Sequence, residues 1–185
     1  MQRSLIRFLS FGILYVGIQE FWVSVIWRGD LAAFFLAVAV TEVLFLLFAY
    51  FVGKLVDRLF SWLRVADIVA YLLFGAVGLV TIEWIFAGNL PGKTEANQFV
   101  MFTTWGGAAL FARLFTDRAP YLERVRKYAL ASFLAFVGVA TALGITFSVS
   151  NSSFAFAATY IAAIFGYPAM NVFFIWFFIR KIRAK

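Results

Sequence analysis

Three glutamates stand inside long apolar runs, and two of them stand there in the same phrase. Phe11-Gly12 is followed after seven residues by Glu20-Phe21, and Phe74-Gly75 is followed after seven residues by Glu83-Trp84. Glu42 occupies a third run, so three of the nine acidic residues lie where a membrane's hydrocarbon is expected. A carboxylate is costly there, and its options are few: it hydrogen-bonds to a neighbouring helix, takes up a proton or attracts a cation. Tryptophans close to the acids widen the chemistry. Trp22 and Trp84 next to Glu20 and Glu83 make an acidic and aromatic surface suited to an organic cation, and Trp105 lies near the middle of its own run. Asn97 and Gln98 are placed to cap a helix or cover Glu83, and Asn171 can satisfy backbone groups freed by Pro168. These residues form the candidate ligand- and proton-binding set.

Other chemistries are poorly supplied. With no His and no Cys, the chain lacks the ligands of most zinc sites, a His-held haem, thiolate chemistry and any Ser-His dyad. Asp57, Asp67, Asp117 and Glu123 show no metal-ligand or paired-acid spacing. The expectation is therefore no metal, no cofactor and no catalytic group.

The elements that position the glutamates follow from length and composition. The 185 residues are 64% hydrophobic, 14% charged and have a mean hydropathy of +0.94, too little polar surface for a soluble domain. Apolar runs of about 20 residues match a hydrocarbon slab roughly 30 Å thick at ~1.5 Å per helical residue. A barrel needs alternating segments about half that long. The expected fold is all-α: one domain, a polytopic bundle of six transmembrane helices over about 5–27, 31–53, 65–87, 97–115, 128–148 and 155–179. Gly106-Gly107 and Pro168 are the expected hinges in the fourth and sixth spans.

The net charge of +7 does not point to nucleic acid, because of where it falls. With both termini cytoplasmic, every Lys and Arg lies on the inner side except Arg28 and Lys93, the partition of the positive-inside rule. The inner basic rim suits anionic headgroups. Glu20 then lies roughly 10 Å below the outer end of its helix, Glu83 about a turn below its own, and Glu42 near mid-membrane. All three are remote from most of the cations. The expected location is a plasma membrane, of bacterial cytoplasmic type.

The shared phrase suggests duplication. A shift of 63 residues aligns Leu9, Phe11, Gly12 and Glu20 with Leu72, Phe74, Gly75 and Glu83, as in a bundle of parallel helix hairpins. The function expected from this pattern is a small transporter or substrate-binding membrane subunit, with an outward-facing acidic and aromatic site for a proton, cation or small organic solute. The alternatives are a non-catalytic subunit of a larger membrane complex and an enzyme acting on a lipid-linked substrate. A second copy or a partner membrane subunit is an expected neighbour.

Overall fold

The structure, a computed structural model, describes residues 2–59, 66–93, 98–116 and 123–150. Among these residues it is all-helical, with five helices long and apolar enough to cross a membrane. We label them α1 (Gln2–Glu20, continued by a π-helical stretch Phe21–Trp27), α2 (Leu31–Leu59, π-helical over Ala37–Glu42), α3 (Ala66–Val77, continued by π-helical Gly78–Phe86), α4 (Gln98–Thr116) and α5 (Glu123–Ser150). The expected sixth span, with Pro168 and Asn171, and the position of Asn97 lie outside the described residues.

Pairings along the helices give their directions. Phe8 meets Tyr50 (ring centroids 5.4 Å), Gly17 meets Glu42 and Phe21 meets Phe34 (5.9 Å), so α1 and α2 are antiparallel neighbours. Tyr71 meets Phe102 (5.9 Å) while Trp84 bonds to Gln98, so α3 and α4 form a second antiparallel hairpin. The turn between α1 and α2 is made by Gly29, whose φ of 69° favours a residue without Cβ. Asp30 follows it and caps α2, its Oδ1 accepting from Ala33 N at 2.8 Å.

The two hairpins meet through α1 and α4, which share a broad interface. Phe11 stacks on Phe115 at 3.9 Å, Tyr15 packs on Phe111 at 5.3 Å, and Thr104 Oγ1 lies 2.8 Å from Gln19 Oε1. α5 lies across the same seam, with Phe133 stacked on Tyr15 and tilted against Phe111. α4 is thus the central helix, buried almost without a break from Thr103 to Ala112. Its small residues make this possible. A Cβ on Gly106 would come within 2.8 Å of the Tyr71 carbonyl oxygen, and one on Gly78 of α3 would overlap the Trp105 side chain. Small residues at such crossings let helix backbones approach closely where lipid supplies no hydrophobic drive. Gly106 and Gly107 were expected to bend the helix. Both lie within the continuous α-helix α4, and Gly106 packs closely against Tyr71.

The helical irregularities fall elsewhere. Each of the three glutamates sits at a π-helical stretch: Glu20 immediately before Phe21–Trp27, Glu42 at the end of Ala37–Glu42, and Glu83 within Gly78–Phe86. In two of these stretches a threonine hydroxyl occupies a carbonyl four residues back, Thr41 on Ala37 and Thr81 on Val77, both at 2.6 Å. Such bonds compete with the regular ladder. They do not suffice, since Thr104 and Thr116 bond the same way in α4. Large apolar side chains such as Phe35, Leu36, Ile85, Phe86 and Phe99 point away from the bundle, as hydrocarbon contact requires.

Candidate functional site

The glutamates divide into two sites of opposite character. At the α3–α4 hairpin, Glu83 has both oxygens engaged. Trp105 Nε1 donates to Oε1 at 2.9 Å, and Asn89 Nδ2 donates to Oε2 at 2.9 Å. Asn89 is held by its own backbone N–H on the Glu83 carbonyl (2.8 Å) and by Gln98 Nε2 on its carbonyl (2.9 Å). The circuit closes when Trp84 Nε1 donates to Gln98 Oε1 at 2.6 Å. Glu83, Trp84, Gln98 and Trp105, four of the residues singled out from sequence, are therefore one connected network. Asn89 is the member the sequence reading missed. Its signal was present in Gly88-Asn89 just past the helix end, a pair in which Asn commonly bonds back to nearby backbone.

At the α1–α2 hairpin, the arrangement is unfinished. Glu42 is only 3% exposed, and its Oε2 has no hydrogen-bond partner among the described residues. That oxygen faces Gly17, where an added Cβ would lie 3.6 Å away, in a setting otherwise lined by Ile13 and Val38. Glu20 lies one turn beyond Gly17 along α1. Its Oε1 accepts the Ser24 hydroxyl. No ion pair among the described residues reaches either acid. Two acids at one interface, with one buried oxygen orphaned, is an arrangement that native structures rarely leave unexplained.

The other expected residues fall as follows. Trp22 turns into the bundle. It is 1% exposed, donates from Nε1 to Thr141 Oγ1 at 2.7 Å, and meets Phe136 edge-on at 5.8 Å, so it ties α1 to α5. Trp105 separates the two acid sites. Its ring packs against Phe45 (centroids 4.6 Å), one turn beyond Glu42, while its N–H turns to Glu83. Arg113 bonds Asp57 at 2.5 Å, and Gly53 leaves space for its guanidinium. Three or more His, Cys, Asp or Glu that could hold a metal are not grouped anywhere among the described residues.

The 63-residue shift that aligns Glu20 with Glu83 continues into the second helix of each hairpin. There it aligns Thr41 with Thr104 and Leu47-Phe48-Ala49 with Leu110-Phe111-Ala112. Both threonines bond their equivalent carbonyls, of Ala37 and Val100. In this register Glu42 corresponds to Trp105, the residue that reaches Glu83. In comparisons with known proteins, no family model matches the chain, and no similar curated protein or solved structure is found.

Proposed function

We propose that the chain is a small multi-pass transporter, or the solute-binding membrane subunit of one, acting through the acidic site between α1 and α2. The observation that carries this reading is Glu42: a buried carboxyl with an unpartnered oxygen beside a second acid. An ionisable group kept at membrane depth without a structural partner marks a polar pathway by default. In this reading the chain spans a bacterial-type cytoplasmic membrane six times with both termini inside. Glu20 and Glu42 then face the cation-poor outer half, open to a proton, a cation or a small organic amine.

Reconstitution in liposomes tests it. With an imposed pH gradient, wild-type chain is expected to take up radiolabelled methylammonium or pass protons, reported by a trapped pH dye, above protein-free liposomes. Glu42→Gln is expected to lose that flux. Equal flux in the variant removes Glu42 from the mechanism, and no flux of either kind in the wild type sinks the transport reading.

The second reading, a non-catalytic subunit of a larger complex, draws its support from Glu83. A carboxylate whose oxygens are both bonded within the chain needs no ligand. The enzyme reading has less support, because Asp57 is engaged by Arg113 and Glu123 by Lys127.

A further inference from the structure

The two hairpins present one internal comparison. In the second, the glutamate of the outward phrase meets an indole N–H: Trp105 donates to Glu83. In the first, the residue at the position of Trp105 is Glu42, whose buried Oε2, without a partner among the described residues, faces Gly17 one turn before Glu20. The rest of the local frame is kept. The preceding threonine bonds the carbonyl four residues back in both helices, and both glutamates lie at π-helical stretches. One hairpin thus places a donor where the other places a second acceptor.

We propose that Glu20 and Glu42 form a one-proton acid pair, in which a bound proton supplies the donor that Trp105 supplies to Glu83. Two carboxyl groups at one low-dielectric interface do not both stay ionised, because like charges there repel strongly. A proton on either acid converts an acceptor into an O–H donor and reduces the pair to a single negative charge. It also gives the buried Glu42 carboxyl the means to hydrogen-bond, which an unmatched acceptor lacks.

A metal cation fits the site less well. Hard cations take about six or more oxygens, whereas the polar side chains described here are Glu20, Glu42 and Ser24, with Ile13, Val38 and Gly17 around them. Among the described residues, no fixed cation stands in either. On α1, Arg3 and Arg7 lie 13 or more residues from Glu20, about 20 Å along the axis. On α2, Lys54, Asp57 and Arg58 lie 12 or more residues from Glu42, about 18 Å away. Arg28 and Asp30 are exposed in the turn, and Glu83, behind Trp105, is committed to its own network.

The proposal deepens the transport reading by making the proton the coupling ion; it rests on that reading for its use but not for its existence. Infrared spectroscopy of the full chain in lipid nanodiscs at neutral pH tests it. The expected result is a protonated-carboxyl band equivalent to one proton per chain, lost in Glu42→Gln, shifted in frequency in Glu20→Gln and unchanged in Glu83→Gln. No such band, a band that survives Glu42→Gln, one that Glu20→Gln leaves unaltered, or one displaced by sodium or potassium at constant pH overturns the proposal. Should a Gln variant fail to fold, carboxyl-labelled glutamate in the wild-type chain gives the same reading by solid-state NMR. One protonated glutamate supports the pair, and none overturns it. A band with the expected behaviour but no proton flux in liposomes leaves the acid pair standing and removes transport.

Discussion

At the scale of the residue, the same side chain has two fates set by what faces it. Glu83 accepts from Trp105 and Asn89, so removing one donor orphans a half-buried oxygen. Trp105→Phe keeps most of the ring's packing on Phe45 and Gly78 but deletes that N–H. Its expected cost is about 1–3 kcal/mol, read as a lower unfolding midpoint in detergent, and most of the loss should vanish in a Glu83→Leu background. The glycines differ in the same way. At Gly12 an added Cβ meets the ends of Leu46, 2.5 Å away, and a flexible side chain can give way. At Gly106 it meets the Tyr71 carbonyl oxygen at 2.8 Å, which moves only with the backbone. Gly106→Ala should therefore destabilise by about 1–3 kcal/mol and Gly12→Ala by clearly less. Equal losses would show that α3 and α4 are not packed this closely.

At the scale of the element, α2 and α4 are joined at one end by Arg113 and Asp57. The Arg113 side chain is 14% exposed and that of Asp57 51%, so screening keeps the pair's own contribution within about 1 kcal/mol. Asp57→Asn should lower stability slightly, and less so as salt rises. Arg113→Met should cost more, because it also leaves the space beside Gly53 poorly filled.

The start of α5 carries a pH-sensitive contact. Lys127, by its hydrogen bond first and its charge second, holds the Glu123 carboxyl below the ordinary carboxylate range, with Arg126 adding to the effect. A lowered folded-state value means that the contribution is present above the unfolded value, near 4.3, and disappears as pH falls through the folded one. Amide exchange in the first turn of α5 should therefore quicken, relative to its intrinsic rate, only on acidification through that window. Glu123→Gln should remove the dependence. The π-helical stretches give a further comparison: their amides should exchange faster than those of α4, since i→i+5 bonding is the less stable pattern.

At the scale of the whole molecule, the bundle is organised around α4, which is buried on nearly every side, while α1 joins the two hairpins. The six-span proposal adds a crossing beyond the five described and fixes which loops share a side. Single cysteines at Lys93 and Asn151 are expected to label from outside, and cysteines at Ser61 and Ala119 from inside. Labelling of positions 61 and 93 from the same side would end the six-span topology, whatever the fate of the acid pair.

The amino-acid sequence by itself determined that the chain is helical and apolar enough to cross a membrane, because hydrocarbon-length runs leave the backbone only its own carbonyls to bond. It also placed the three acids within those runs, and it carried the repeat, including the correspondence of Glu42 with Trp105. Only the tertiary structure decided what each acid meets. Trp22 and Trp84 follow glutamates in nearly the same phrase, yet one turns into the bundle toward Thr141 and the other reaches Gln98 across its hairpin. Sequence spacing places a residue along a helix, but its partner depends on which faces meet and at what register. That choice gave Glu83 a finished network and left Glu42 a buried oxygen without a partner among the described residues.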